Sequence, residues 1–428
     1  MPEKIYKKKI GEKEITIEFK DWTNQANGSA MARCGDTVVL STCVMGEEKN
    51  LGFFPLTVEY EEKFYAAGAI MGSRYTRREG RPSDEAICNA RLIDRTIRPR
   101  FPKGLLREIQ VIATIFAWDD QNDPDILGMI SSSVALGVSD IPWQGPISAV
   151  RVCKKEGQFI INPTYQEREG NDLDVVFAGV IEGEDLLINM IEGGSKEVSE
   201  EDIIQALKEA EKPLRELFEF QKEIIQKEGK EKIALPEPKK DETLEKEIDN
   251  LLKEKLEKAI YQKDKTKREN DLSSLKKEVA EYLEEKYPED EEKIAYAGDY
   301  MDQEVDRLIH ENIIKYEKRP DGRKIDEVRE ISCQAAVLPR SHGSGLFSRG
   351  QTKALSFLTL GGPEDYRLIE GMEITGEKRF MHHYNFPPYS AGEAKPLRGP
   401  GRREIGHGHL AEKAILPVIP SKEEFPHT

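Results

Sequence analysis

Apolar and polar positions alternate and cluster in ways that divide the chain before any residue is given a role. Residues 10–60 read as strands: Glu14-Ile-Thr-Ile-Glu-Phe19 alternates, and Thr37-Val-Val-Leu-Ser-Thr-Cys-Val44 is a mostly apolar, β-branched run. Gln110-Val-Ile-Ala-Thr-Ile-Phe116 and Asp174-Val-Val-Phe-Ala178 read as buried strands. Between them Ser83 is placed to cap a helix with Asp84 and Glu85 in its first turn, and the helix must end before Pro99. Arg91, Arg95 and Arg98 stand four and three residues apart on it and share one face. Ser199-Glu-Glu-Asp202 has the form of a capping box opening a helix through Ile203, Ile204, Leu207 and Ala210. Pro213 either kinks that helix or restarts it.

The pattern changes near residue 228. Residues 229–317 are dominated by Lys and Glu, a composition compatible with disorder. Helically spaced apolar stripes argue instead for a small bundle: Leu244, Ile248, Leu251, Leu252, Leu256; then Leu272, Leu275, Val279, Tyr282, Leu283; then Met301, Val305, Leu308, Ile309. Arg319-Pro-Asp-Gly-Arg323 is a turn signal that opens another region.

That region echoes the first. Gly28–Ser41 aligns without gaps to Gly343–Ser356, with six of fourteen positions identical. Tyr65-Ala-Ala-Gly68 matches Tyr389-Ser-Ala-Gly392, and Arg77-Arg-Glu79 matches Arg402-Arg-Glu404. Three echoes in one order predict an α+β fold with two copies of one core. The divisions are 1–228 for the first core, 229–317 for an all-helical domain and 318–428 for a second, incomplete core.

Charge narrows the chemistry. The 428 residues carry a formal net charge of −16, so the molecule as a whole is not a simple nucleic-acid binder. Between Arg74 and Lys103, however, nine basic residues face four acidic ones, and local charge outweighs the sum. Guanidinium is planar, permanently charged and suited to bidentate phosphate contacts. The five cysteines, Cys34, Cys43, Cys88, Cys153 and Cys333, show no paired spacing, which argues against a zinc site or a disulfide framework and for a reducing, cytoplasmic setting. No apolar run reaches membrane-spanning length, and Met1–Lys9 lacks the apolar core of a signal peptide.

Several longer motifs are specific. They are Glu79-Gly-Arg-Pro-Ser83, Arg91-Leu-Ile-Asp-Arg-Thr-Ile-Arg-Pro99, Pro124-Asp-Ile126, Arg319–Arg323, His383-Tyr-Asn-Phe-Pro-Pro-Tyr-Ser390 and Arg402-Arg-Glu-Ile-Gly-His-Gly408. With them the chain resembles the bacterial polynucleotide phosphorylase family from its first residues to its last. The resemblance implies two ribonuclease-PH-like cores around an all-helical domain, in a homotrimeric ring threaded by single-stranded RNA. It implies phosphorolysis: inorganic phosphate attacks the 3′-terminal phosphodiester of RNA and releases a nucleoside diphosphate, reversibly, in mRNA turnover and in RNA-degradation complexes. Such chemistry needs positioned cations rather than a protein nucleophile.

By the same resemblance, Tyr75, Arg77, Arg78 and Arg81 lie in a loop that grips RNA, with Thr76 where the family has a second aromatic. Stacking plus cationic phosphate contact is how single strands are held without sequence preference. Arg95 and Arg98 match a substrate-handling motif, and Arg349, Arg402, Arg403 and His407 match positions linked to the phosphate and the RNA end. Magnesium is implied, with its ligands, a serine-rich turn and further RNA-binding domains falling beyond Thr428. The other class of function is an inactive RNA-binding or assembly fragment.

Plainer readings stand beside these. Arg77 and Arg78 are either RNA contacts or a solvated loop; Arg91 pairs with Asp94 or Glu85 and is left out of the site; Arg402 and Arg403 bridge to Glu404 or Glu393 if structural. His407 is either functional or a buried, hydrogen-bonded histidine. His382 and His383, read as strand neighbours, point to opposite faces and make a poor metal pair. Ser131-Ser-Ser133 is read as filler in a regular element.

Overall fold

A computed structural model of the chain describes residues 4–49, 53–72, 74–235, 240–288 and 290–428. It separates into two compact units, one of residues 1–235 with 361–428 and one of residues 236–360.

The first unit begins with an antiparallel meander, β1 (Lys4–Ile10), β2 (Lys13–Phe19), β3 (Gly28–Cys34) and β4 (Thr37–Glu48). β5 (Leu56–Glu61) follows, then α1 (Asp84–Ile97) and β6 (Arg107–Ala117). β6 inserts antiparallel to β4 and parallel to β5, giving the order β1-β2-β3-β4-β6-β5. α2 (Pro124–Val138) leads to β7 (Ser148–Lys155), β8 (Gln158–Ile161), the single turn α3 (Tyr165–Arg168), β9 (Leu173–Glu182) and β10 (Asp185–Ser195). These strands form a second sheet, β10-β9-β7-β8, and α4 (Glu200–Glu228) packs on it.

Local chemistry explains the boundaries. Ser83 caps α1 by accepting from the Ala86 amide at 2.9 Å, and the helix yields to a 3₁₀ turn at Arg98-Pro99-Arg100. Asp123 caps α2, and Pro124 occupies its first position, where no amide donor is needed. Every residue of α2 is buried, because the helix packs on β3 and β4 of one sheet and on β7 of the other. Ser131 and Ser132 meet Ser41 Oγ at 2.6 and 3.1 Å, and Ser133 Oγ accepts from the Ile147 amide. The serine run is therefore interior filler with its polar atoms satisfied. Gly28 has no freedom to be larger, since a Cβ there would lie 2.3 Å from the Ala135 carbonyl of α2.

Two expectations for α4 can be made specific. Ser199 accepts from the Asp202 amide, and the Asp202 carboxylate pairs with Lys154 at 2.6 Å. The helix also continues through Pro213 rather than restarting there.

In the second unit, α5 (Glu242–Ile260), α6 (Lys265–Lys286) and α7 (Glu291–Tyr316) bury a common cluster. Leu244, Ile248, Leu252, Leu256, Val279, Leu283 and Met301 from the sequence stripes lie in it. Lys and Glu occupy the outer faces in ion pairs such as Lys255–Glu278 and Arg307–Glu311. A three-stranded antiparallel sheet, β11 (Ile331–Ala335), β12 (Gly343–Arg349) and β13 (Thr352–Leu358), completes this unit with Phe347, Leu355 and Phe357 exposed.

The chain returns to the first unit with the hairpin β14 (Arg367–Glu370) and β15 (Thr375–Lys378), then α8 (Arg402–Ile415). Here the internal repeat acquires a geometry. β3–β4 closes as Cys34↔Thr37 around Gly35 (φ 57°), and β12–β13 closes as Arg349↔Thr352 around Gly350 (φ 59°). Tyr65-Ala-Ala-Gly68 and Tyr389-Ser-Ala-Gly392 both form 3₁₀ turns ending in a left-handed glycine, φ 67° and 69°. α1 and α8 are both 14 residues long and both end in a 3₁₀ turn with a central proline.

That last equivalence corrects the third echo. Arg77-Arg-Glu79 is irregular loop ahead of α1, whereas Arg402-Arg-Glu404 is the first turn of α8. The structural counterpart of Arg402 is Asp84, so the two arginine pairs occupy different places in the two copies. His382 and His383 are corrected too, since neither lies in a strand.

Candidate functional site

The loop before α1 is fixed at its base and open at its tip. Phe64 N donates to Glu79 Oε1 at 3.3 Å, and Ser83 Oγ donates to Glu62 Oε2 at 2.7 Å. Gly72 adopts φ 102°, and a Cβ there would sit 2.4 Å from the Arg78 carbonyl oxygen. Only glycine lets the loop fold back on itself at that point. Tyr75 is 95% exposed, and Arg77, Arg78 and Arg81 are also exposed. Among the described residues none of these three arginines has a carboxylate partner.

A second basic surface forms where α8 crosses α1. The contact is so close at Gly406 that a Cβ would lie 2.3 Å from Arg91 Nε. Partial burial and the neighbouring Arg95 and Arg403 guanidiniums pull the Arg91 pKa below its ordinary value. Among the described residues Arg91, Arg95 and Arg403 make no ion pair. Arg91, excluded on sequence grounds because helical carboxylates stood within reach, thus belongs to the arginine cluster. Its signal was the Arg91/Arg95 spacing. The carboxylate Asp94 instead holds Arg98, through Nη2 at 2.6 Å and Nε at 3.1 Å. Arg98 also donates to the carbonyls of Phe54 and Leu56.

The remaining expected residues separate. Arg402 donates to the Val58 carbonyl at 2.7 Å and pairs with Glu59, not with Glu404 or Glu393. Glu404 instead accepts from the amides of Gly401 and Phe386, both at 2.7 Å, and these bonds hold its pKa below the usual carboxylate range. His407 is exposed rather than buried, its ring 4.1 Å from that of Tyr384. Arg402, Arg403 and His407 therefore share α8, while Arg349 is exposed at the end of β12 in the other unit.

Beneath the arginine face lies a cavity of about 660 Å³, bounded by α1, β10, the β14–β15 hairpin and α8. Arg91, Arg95 and Lys413 line one side, and Asp125, Tyr165 and Glu373 the other. Its floor is a buried ionic nest absent from the sequence reading. Arg151 contacts Asp123 at 2.8 Å, Asp174 at 2.7 Å and Asp125; Arg168 contacts Asp123 and Asp174, each at 2.9 Å. Burial opposes ionisation throughout, yet the two guanidiniums keep Asp123 and Asp174 below the ordinary range. Asp125 is raised, chiefly by burial and then by the charge of Asp123. The Pro124-Asp-Ile126 motif carried the signal for Asp125, but nothing local marks its partners.

Burial raises the Cys88 pKa to about 12, which keeps the thiol protonated and disfavours it as a nucleophile at this cavity. Among the described residues no group of three or more His, Cys, Asp or Glu is placed to hold a metal ion. The described side chains thus give magnesium no fitted site, and no step below is routed through it. No helix among the described residues is long and apolar enough to cross a membrane.

Three family profiles match the chain. The family profile "3′ exoribonuclease family, domain 1" matches twice, at residues 11–142 and 327–428, and its domain 2 profile matches residues 145–212. The chain belongs to the 3′ exoribonuclease family. The profile "Polyribonucleotide nucleotidyltransferase, RNA binding domain" matches residues 243–324, the helical segment. Polyribonucleotide nucleotidyltransferase of Heliobacterium modesticaldum is 46% identical over 426 residues, 99% of this chain and 59% of that protein. The Finegoldia magna protein of the same name is 46% identical over 429 residues, again 99% and 59%. That of Bacillus pumilus is 46% identical over 417 residues, 97% of the chain and 58% of the protein. The chain spans about 59% of the length of these relatives.

Proposed function

We propose that the chain acts in phosphorolytic 3′→5′ degradation of single-stranded RNA, with α1 and α8 handling the phosphate and the RNA end. The observation that carries this reading is the arginine cluster Arg91, Arg95 and Arg403, gathered on adjoining helices with no direct ion pair among the described residues. Like charges held together repel, and an anion between them relieves the repulsion. In the reaction a phosphate oxygen bonds to the phosphorus of the last linkage, and the bond from that phosphorus to the 3′-oxygen breaks. The electron pair leaves with the 3′-oxygen, which takes the proton of the attacking phosphate. The products are a nucleoside diphosphate and an RNA one residue shorter. The arginines offset the negative charge brought together as the two anions meet. Tyr75, Arg77, Arg78 and Arg81 grip the strand upstream, by stacking and phosphate contact.

Magnesium dependence, a homotrimer, a role in mRNA turnover within an RNA-degradation complex and a cytoplasmic location belong to the same proposal. They are supported by family membership. The direct test incubates the chain with 3′-labelled single-stranded RNA, Mg²⁺ and phosphate and measures nucleoside diphosphate. Phosphate-dependent release that is lost in Arg403→Ala supports the reading; release independent of phosphate would sink it.

A second reading, RNA binding without turnover, draws support from Arg402, whose guanidinium is occupied by Glu59 and the Val58 carbonyl. It requires salt-sensitive RNA binding with no nucleotide released.

A further inference from the structure

The turn of the β14–β15 hairpin enters the first core. Met372 is 4% exposed and joins the apolar cluster built by the two sheets. Its neighbour Glu373 hydrogen-bonds Tyr165 OH, and Glu373 Oε1 is buried with no partner. Tyr60 OH and Asp125 Oδ1 are also among the buried oxygens that lack partners. Mutual electrostatic influence ties Tyr60, Asp125 and Glu373 together. The hairpin therefore inserts a carboxyl group into a site already crowded with acids.

The charges there do not balance if every acid is ionised. Glu373 is faced by Tyr60 of β5 and Glu62 just after it, by Asp123 and Asp125 at the head of α2, and by Tyr165 of α3. The cations are Arg151 of β7 and Arg168 of α3, and Asp174 of β9 also draws on both. Arg168 reaches Asp123 and Asp174, and Arg151 reaches those two and Asp125, but neither makes an ion pair with Glu373 or Glu62. A buried carboxylate without a cation is costly, whereas a buried carboxylic acid with a hydrogen bond is not.

We propose that the β14–β15 hairpin is a proton-held latch: Glu373 docks as the neutral acid against Tyr165 and Asp125, and loss of its proton releases the turn from the cavity floor. Burial, foremost, and the charge of Asp123 raise the docked pKa of Glu373 well above its ordinary value, in keeping with this. Docking is therefore favoured at low pH and weakens as pH rises above the ordinary carboxylate range. Each pH unit between the free and docked pKa values increases the open population about tenfold. Release would open the cavity beside Arg91 and Arg95, linking access to that face to pH.

The test is hydrogen exchange, read by mass spectrometry, on the intact 428-residue chain. Protection of the 371–374 turn is followed from pH 5 to 9 and corrected for intrinsic exchange, with Val111–Ile115 of β6 as the control for global unfolding. The latch predicts that turn protection falls with pH while β6 stays protected. Glu373→Gln, neutral at every pH, should keep the turn protected throughout. Tyr165→Phe keeps the ring but loses the hydroxyl, and should open the turn at lower pH. A pH slope that persists in Glu373→Gln, or a wild-type turn whose protection does not change with pH, overturns the proposal.

Discussion

Replacing Arg151 with methionine isolates the contribution of the buried ionic nest. Arg151 is 7% exposed, and its guanidinium meets three carboxylates. Three charge-assisted contacts at about 1.5–3 kcal/mol each would sum to roughly 5–9 kcal/mol if they were independent. They are not independent. Arg168 still reaches Asp123 and Asp174, and Asp125, whose pKa is already raised, can take up a proton. The change therefore costs about 3–5 kcal/mol, the range for removing one member of a buried pair. Urea unfolding followed by Trp118 fluorescence is a suitable assay, because Trp118 packs edge-on against Tyr165 beside the nest. The loss should shrink as pH is lowered towards 5, where the orphaned acids bind protons more readily. A loss below about 1 kcal/mol at pH 7, or one that does not vary with pH, would refute the claim that these charges depend on Arg151.

Asp119 accepts from the amides of Asp36, Gln121 and Asn122 and from the Thr37 hydroxyl, and these bonds outweigh burial to bring its pKa down to about 2. Its contribution is present above the ordinary aspartate pKa and is lost as pH falls through about 2, so Asp119→Asn should cost about 1–2 kcal/mol at neutral pH after solvent screening, and nothing in strong acid. Acid titration of unfolding midpoints for wild type and variant checks this. Gly72→Ala forces a side chain onto the Arg78 carbonyl and should weaken RNA binding several-fold in a filter assay while the melting temperature moves by less than about 3 °C. Arg403→Ala should lower turnover at saturating RNA by at least roughly tenfold, whereas Arg77→Ala with Arg78→Ala should chiefly raise the RNA concentration needed and flatten its salt dependence; equal, small effects from both would falsify the division of labour.

The sequence by itself determined what depends on neighbours a few residues away. Helix caps at Ser83 and Asp123, the stripes of the helical unit, and the two glycine-closed hairpins at Gly35 and Gly350 follow from side-chain period, turn chemistry and a permitted positive φ. The repeat, and with it the family, was legible for that reason. What only the tertiary structure decided depends on residues that meet from far apart. Arg77-Arg78 and Arg402-Arg403 look alike as strings but lie in a loop and in a helix, because the α1 and α8 copies start at different points relative to them. Helical spacing left Arg91 open to pairing with Asp94 or Glu85, yet α8 packs against it and Asp94 turns to Arg98. The nest joins residues 123, 125, 151, 168, 174 and 373. Coulomb and desolvation energies depend on distance and burial in space, and neither is written in the order of residues along the chain.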